Sequence, residues 1–166
     1  MHVSPRPALR AGLAALILAS VPLAASADAN VEVAAGASGT TNREFTRVAS
    51  AAWLPELRQL DNAVLLAETG LVYVDGRRPI AGRDLTDDVW VGYVGLRYER
   101  TDNGLTLGAA IGAQEGETDA LSGDPQFVTT VGWRWDRFSL LVRHISNASL
   151  HSPNDGETML VGAWRF

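Results

Sequence analysis

The segment RHISNASLHSPNDGE, residues 143–157, concentrates the side chains of this sequence that could perform nucleophilic chemistry. It places His144 two residues before Ser146. On a β-strand, residues at this spacing share a face with Cα atoms roughly 6.5–7 Å apart, so an imidazole can reach a neighbouring hydroxyl. A serine hydroxyl is a weak nucleophile until an adjacent base takes its proton, and this pair provides both groups.

Such a pair works best with an acid that holds the imidazole and with donors that stabilise an oxyanion. The candidates for the acid are Glu157 first and Asp155 second, which a hairpin would bring back toward His144. The candidate donors are the amides of Asn154 or Asn147 and local backbone N–H groups. An HxS pair occurs by chance in many sequences, so its position in the fold decides whether it forms a site.

The chain begins with a segment typical of a secretory signal peptide, residues 1–27. Two arginines precede an apolar run at 11–24, and small residues at 25–27 are suited to cleavage. The segment is too short and wrongly flanked for a spanning helix, although an N-terminal membrane anchor is the alternative. We therefore expect an exported protein whose single domain occupies residues 28–166.

Without that segment the chain is acidic. Removing its two arginines from 14 basic residues leaves 12 basic against 19 acidic residues, a net charge of −7. This charge disfavours nucleic-acid binding, which depends on neutralising phosphates. The sequence has no cysteine, hence no disulfide framework and no CxxC-type zinc site, and we expect no metal or other cofactor. The Asp-rich segments 84–88 and 116–124 are read as solvated loops, with binding of divalent cations as the alternative.

Alternation of apolar and polar residues with a period of two predicts strands through most of the remaining chain. Strands are predicted at 30–39, 43–54, 62–74, 88–100, 104–114, 127–135 and 138–146, followed by a last strand that ends at 166. This gives about eight strands, each near the 9–11 residues that a tilted strand needs to cross a bilayer. Residues 54–61, which include Pro55, are expected to connect the second and third strands.

The two faces of these strands differ. One face repeatedly carries arginine, at Arg97, Arg134, Arg143 and Arg165, with Glu99 as an expected partner. The other face is apolar and has aromatic residues near the strand ends: Trp90, Tyr98, Trp133, Trp135, Phe138, Trp164 and Phe166. A charged lumen, an apolar outside and aromatic girdles are typical of a small outer-membrane barrel. We predict an all-β protein, an eight-stranded antiparallel transmembrane β-barrel; a soluble sandwich with outward arginines is the alternative.

The lengths of the connections orient the predicted barrel. Short turns such as 136–137 are typical of the periplasmic side, and longer Asp-, Gly- and Pro-rich connections such as 147–156 of the extracellular side. The strand 138–146 then runs outward, so His144 and Ser146 face lipid at headgroup depth at its extracellular end. A polar pair in that position costs free energy without structural benefit, which favours a functional role.

HISNASLHSPNDGE, followed by a last strand ending in WRF, resembles the C-terminal signature of the PagL family, lipid A 3-O-deacylases of the outer membrane. The specific match covers residues 143–166, and the signal peptide and strand layout extend it more loosely over the chain. The resemblance implies a serine esterase that hydrolyses the ester-linked acyl chain at the 3-position of lipid A. It assigns the nucleophile to Ser146, the general base to His144 and oxyanion support to Asn154.

The sequence departs from the family pattern at the third member of the Ser-His-acid triad. In the family the acid lies two residues beyond the glycine of PNxG, and here that position is Thr158. Three alternatives remain: a local bulge brings Glu157 to the site, the acid is Asp155, or the acid is absent. We take Glu157 as the expected catalytic acid.

The expected partners are lipid A or lipopolysaccharide as substrate and the bacterial outer membrane as location, and a homodimer is left open. The alternative function is a non-enzymatic small barrel, structural or adhesive and OmpX-like. A barrel enzyme that transfers a palmitoyl chain is a third reading, which the segment 143–157 does not favour. An HxS pair on the lipid-facing wall separates the first reading from the second, because a structural barrel has no use for it.

Overall fold

The computed structural model describes residues 30–40, 44–79 and 82–166. The predicted signal peptide, residues 1–27, and part of the connection between the first two predicted strands lie outside these residues. The strands are β1 (Val31–Gly39), β2 (Phe45–Trp53), β3 (Glu56–Gln59), β4 (Ala63–Val74), β5 (Val89–Arg100), β6 (Leu105–Glu115), β7 (Gln126–Trp135), β8 (Phe138–Ser146) and β9 (Glu157–Arg165). No helix in this part of the chain is long and apolar enough to cross a membrane.

The strands form one closed antiparallel sheet. Their order is β2-β1-β9-β8-β7-β6-β5-β4-β3, and an additional pairing of β2 with β4 closes the barrel. β3 pairs with the part of β4 that β2 leaves free, so β2 and β3 together occupy one strand position of the barrel. The nine strands therefore form a barrel of eight strand positions. The prediction of an eight-stranded antiparallel barrel is confirmed.

The segment 54–61, predicted to be a connection, contains β3. Proline has no N–H to donate to a strand ladder, so the strand pairing with β4 is interrupted at Pro55 and resumes after it in β3. The carbonyl of Pro55 still accepts a hydrogen bond from the N–H of Ala67 (3.0 Å), which keeps the break against β4. β3 then pairs with β4 through an irregularity between Glu56 and Arg58.

The outward side chains of the barrel wall are largely apolar. On β8, Phe138, Leu140 and Val142 are exposed, whereas Ser139 and Leu141 between them are buried. Exposed aromatic residues gather at both ends of the wall: Trp53, Trp133, Trp135, Phe138, Trp164 and Phe166 at the short-turn end, and Phe45, Trp90 and Phe127 at the long-loop end. An apolar belt between two aromatic girdles is the surface of a barrel embedded in an outer membrane.

Buried arginine and glutamate side chains form an ion-pair network in the interior, beside a cluster of buried apolar residues that includes Val72, Val91 and Leu141. The ion pairs are Arg97 with Glu32 (2.7 Å) and Glu68 (2.5 Å), Arg143 with Glu68 (3.1 Å), Arg134 with Glu99 (3.0 Å), and Arg165 with Glu99 (2.6 Å) and Glu32 (3.2 Å). The predicted inward arginines and their partner Glu99 are confirmed. The part played by Glu68 was not predicted, because this residue lies in a nearly continuous apolar run that shows little alternation.

Candidate active site

The outward face of β8 carries the two residues singled out by their spacing. Arg143 and Ile145 are buried in the interior, and Val142 is exposed on the wall. Because successive strand residues point to opposite faces, His144 and Ser146 belong to the outward row with Val142. Both lie at the long-loop end of β8, the end that the sequence pattern predicts to be extracellular.

The imidazole of His144 lies between two outward threonines. Thr129 of β7 and Thr158 of β9 are its partners in register on the two neighbouring strands. Its Nδ1 atom is 3.0 Å from the hydroxyl oxygen of Thr158. Within the described residues, no hydrogen bond joins the ring to Thr129. The contact with Thr158 of β9 therefore fixes the ring through Nδ1.

The Cε1–Nε2 edge of the ring packs over Gly156, which has a positive φ of 69°. A Cβ atom placed on Gly156 would lie 2.7 Å from Cε1 and 3.1 Å from Nε2 of His144. Gly156 lies two residues from Thr158 in the direction of the loop between β8 and β9, and Ser146 lies two residues from His144 in the same direction. Because Nε2 lies against Gly156, it is turned toward the end of β8 that carries Ser146. Among the described residues no hydrogen bond links Ser146 to His144, and such contacts often tighten only when substrate binds.

Glu157, the expected third member, points into the barrel. It is buried, and its carboxylate accepts hydrogen bonds from Ser38 (2.5 Å) and Arg77 (2.6 Å). The register of β8 with β9 runs without a break from Ile145 and Glu157 onward, so no bulge turns the side chain outward. The expected contact between Glu157 and His144 is therefore wrong, and the reason is the regular alternation of β9.

Asp155, the second candidate acid, is also engaged elsewhere. Its carboxylate accepts a hydrogen bond from Arg83 of the β4–β5 loop (2.9 Å). In the part of the chain that the structure describes, neither Asp155 nor Glu157 makes a hydrogen bond to His144. The geometry corresponds to the third alternative, in which no carboxylate contacts the imidazole and a threonine hydroxyl occupies that position.

Asn147, a candidate oxyanion donor, holds two loops together. It is fully buried, and its amide nitrogen donates to the carbonyls of Ser122 and of His151, the latter at 3.1 Å. Both amide hydrogens are used within the loops, so the expected donation from Asn147 to an oxyanion is wrong. Its contacts instead fix the chain just after Ser146.

Asn154, the other candidate donor, lies in the same loop and is half-buried. Its side-chain oxygen accepts a hydrogen bond from the backbone N–H of Asn147 (3.4 Å). Asn154 stays a candidate for oxyanion support.

Residues 118–124 and 147–156 form a connected structure over the barrel mouth, which we call the loop cap. The N–H groups of Asp155 and Gly156 donate to the carbonyls of Asp119 (3.2 Å) and Ala120 (2.9 Å). Ala120 and Leu121 are fully buried. The sequence did not indicate these contacts, since they join residues far apart in the chain that carry no paired motif.

The chain after Ser146 adopts a conformation that ordinary residues rarely take. Ala148 and Ser149 have positive φ values of 54° and 64°. Non-glycine residues in this region cost free energy and are concentrated at functional sites, because the surrounding structure must hold them there. In the loop cap, Asn147 holds this segment: its carbonyl accepts a hydrogen bond from the N–H of Leu150 (3.1 Å), and its amide donates to the carbonyl of His151 (3.1 Å).

The β4–β5 loop joins the loop cap through Asp84. Its N–H donates to the carboxylate of Asp119 (2.8 Å). The side-chain and backbone hydrogen bonds from Thr86 hold the pKa of Asp84 below its usual range. A lowered pKa means that this turn is stabilised above the usual carboxyl pKa, and that the stabilisation is lost as the pH falls through the lowered value.

Within residues 30–40, 44–79 and 82–166, no three His, Asp or Glu side chains converge as a metal site. The Asp-rich segment 84–88 contributes to an open cleft of about 460 Å³ at the rim, lined by Asp87, Asp88, Trp90, Glu115 and Gly116. This cleft lies on β5 and β6, away from the outward face of β8.

No protein-family model and no curated protein sequence matches the chain. Among solved structures it is similar to one described as the crystal structure of the outer membrane enzyme PagL, with 20% identity and a TM-score of 0.56, covering 81% of this chain and 98% of that one. It is also similar to Ail, the attachment invasion locus protein of Yersinia pestis, with 11% identity and a TM-score of 0.41, covering 82% and 95% of the two chains. The likeness to PagL shows that the two proteins share a fold, the small barrel of the outer-membrane type.

Proposed function

We propose that this protein is an outer-membrane serine esterase that removes the ester-linked acyl chain at the 3-position of lipid A. The observation that carries the proposal is the outward pair on β8: His144 is held by Thr158 at Nδ1, with Nε2 turned toward the end of the strand that carries Ser146. The resemblance of residues 143–166 to the PagL family gives the substrate class.

In this proposal Nε2 of His144 accepts the proton of Ser146 as the serine oxygen attacks the ester carbonyl. The tetrahedral intermediate collapses by breaking the bond to the sugar oxygen, which takes the proton from the imidazole and leaves as a free 3-hydroxyl. Water then attacks the acyl-serine, with His144 again accepting a proton, and releases a fatty acid and Ser146. Asn154 and the backbone at Ala148 are the nearest candidates for oxyanion support.

The outward position suits an amphiphilic ester. Val142 precedes the pair on the exposed row of β8, and Phe127, which is also exposed, lies opposite Ser146 on β7. An acyl chain could lie along this apolar surface while its ester reaches the pair, because the loop end of the wall lies near the headgroup level in the predicted orientation. No pocket into the interior is required.

One observation favours the second candidate function, a non-enzymatic barrel of structural or adhesive type. The position of the family's acid is Thr158, and a hydroxyl cannot supply the negative charge that stabilises an imidazolium. A barrel that had lost its activity would show this substitution. The two candidates differ in what they do to lipid A, so one measurement separates them.

The test is to produce the protein in a bacterial strain with unmodified lipid A and to weigh the extracted lipid A by mass spectrometry. We expect the loss of one hydroxyacyl chain with the natural sequence. Replacement by Ser146→Ala or His144→Ala should restore the parent mass, because each removes one partner of the proton transfer. A lowering of activity by at least about 10³-fold is expected for each.

The matched control is Thr129→Ala, which removes a neighbouring outward hydroxyl that makes no hydrogen bond to His144 within the described residues. It should leave deacylation unchanged. Unaltered lipid A from a natural barrel that folds and inserts would reject the esterase and favour the structural reading. A gain of mass would indicate acyl transfer instead.

A further inference from the structure

We infer that Thr158 replaces the triad acid as the residue that positions His144, so that the protein operates with a serine, a histidine and a neutral hydroxyl. The inference deepens the proposed function and rests on it for the chemistry of Ser146. It begins from the distance of 3.0 Å between Nδ1 of His144 and Oγ1 of Thr158. No other side chain of the described residues makes a hydrogen bond to this ring.

The contact selects a tautomer. A threonine oxygen can accept a hydrogen bond from Nδ1–H, which leaves the lone pair on Nε2 free to act as a base. Gly156 packs against the Cε1–Nε2 edge of the ring, so Thr158 and Gly156 together define its orientation. Position and tautomer are two of the three services that an acid provides in a triad.

The third service, stabilisation of the imidazolium by charge, is missing. The carboxylates nearest in sequence, Asp155 and Glu157, are paired with Arg83 and Arg77. The strands on either side contribute only the hydroxyls of Thr129 and Thr158 to the outward row. Replacing the aspartate of a Ser-His-Asp triad by asparagine lowers kcat by about 10⁴-fold because the wrong tautomer is stabilised. Thr158 keeps the productive tautomer and lacks only the charge, so we expect a slow enzyme whose loss of rate is smaller than this.

The experiment compares Thr158→Val, Thr158→Ser and Thr129→Val in the full-length barrel. Valine has the shape of threonine without the hydroxyl, and an apolar side chain suits this wall. The first readout is the rate at which a fluorophosphonate labels Ser146, with Ser146→Ala as the blank. The second is kcat and KM for lipid A in detergent. We expect Thr158→Val to lower the labelling rate and kcat by about 10-fold or more with KM unchanged, because only the base is affected.

Thr158→Ser keeps the hydroxyl and should retain the natural rate within about 3-fold. Thr129→Val, the matched control on the opposite neighbouring strand, should do the same. A structural role for Thr158 would instead lower the thermal stability of the barrel and leave the labelling rate of the folded fraction unchanged.

Thr158→Glu supplies the missing charge. We expect it to raise the labelling rate and kcat by about 10-fold or more, and to move the acidic limb of the pH profile of kcat/KM to higher pH, because a carboxylate favours the protonated imidazole. The double replacement Ser146→Ala with Thr158→Glu should be inactive.

The outcomes separate this inference from the proposed function. Labelling that depends on Thr158 while lipid A stays unaltered would reject the substrate and retain the positioning role. Equal labelling of the natural protein and Thr158→Val would overturn the positioning role even if lipid A is deacylated. Labelling that appears only in Thr158→Glu, or in no variant, would also overturn it, since the hydroxyl would then not be sufficient to orient the base.

Discussion

At the scale of single residues, Gly156 is subject to two independent constraints. Its φ of 69° lies in the left-handed region, which glycine adopts without the penalty that a Cβ brings. Its missing side chain also leaves room for the imidazole of His144. The backbone conformation and the ring position therefore depend on the same residue.

We predict that Gly156→Ala lowers deacylation by about 10²-fold, because the added Cβ would displace the imidazole from Ser146. The measurement is the initial rate on lipid A for protein confirmed to be folded. Gly162→Ala is the matched control on the outward face of β9, since its added Cβ would meet Phe138 only at an ordinary 3.4 Å. Equal rates for Gly156→Ala and the natural protein would contradict the ring position described here.

The residue scale also shows where prediction from sequence succeeded. Strict alternation counted back from Phe166 places Thr158 outward and Glu157 inward, and the structure agrees. The expectation of a bulge that brings Glu157 to the site was wrong, because it gave the triad of the resembled family more weight than the regular period of β9. The contact between His144 and Thr158 follows from the strand register, which the sequence does not specify by itself.

At the scale of elements, the loop cap determines the shape of the chain on the loop side of Ser146. Asn147 links the loop that follows β8 to the loop that precedes β7 through the carbonyl of Ser122. A buried carbonyl that loses its donor costs about 1–3 kcal/mol. The two loops should therefore separate when this single amide is removed.

We predict that Asn147→Ala increases the rate of proteolytic cleavage within residues 118–124 and 147–156 while the barrel wall stays resistant. Deacylation should fall in parallel, because the backbone after Ser146 would no longer be held. Ser149→Ala is the matched control, since its exposed side chain lies in the same loop and makes no hydrogen bond among the described residues. Cleavage at the natural rate in Asn147→Ala would contradict the anchoring role.

The strands themselves were largely predictable, whereas the cap was not. Period-two alternation located the strands within a few residues of their observed ends, and the short turn at 136–137 has its predicted place between β7 and β8. The strand β3, which continues the position of β2 after Pro55, was not predicted, because the proline was taken as the end of a strand and not as an interruption within one. Loop-to-loop contacts have no periodic signal, so sequence alone gives no means of finding them.

At the scale of the whole molecule, the interior combines a cluster of buried apolar side chains with a network of buried ion pairs. Arg97 is fully buried and contacts Glu32 and Glu68 on other strands. Removing one partner of a buried pair leaves an uncompensated charge and destabilises a protein by about 3–5 kcal/mol. An exposed pair contributes about 0–1 kcal/mol.

We predict that Arg97→Met lowers the free energy of unfolding by about 3–5 kcal/mol, measured by urea titration of the barrel in lipid vesicles. Arg100→Met is the matched control: it lies three residues further along β5, pairs with Asp102 near the turn, and should cost about 1 kcal/mol or less. Similar losses for the two replacements would show that the interior network is no stronger than a surface pair.

The pair on β8 faces sideways, toward the surrounding lipid, and not into the interior of the barrel. An ester that reaches it must arrive by lateral diffusion within one leaflet, so turnover should respond to the surface density and fluidity of the surrounding lipid and little to bulk concentration. The cleaved chain would enter the same leaflet on release. The water that hydrolyses the acyl-serine would have to enter the site from the aqueous phase outside the membrane.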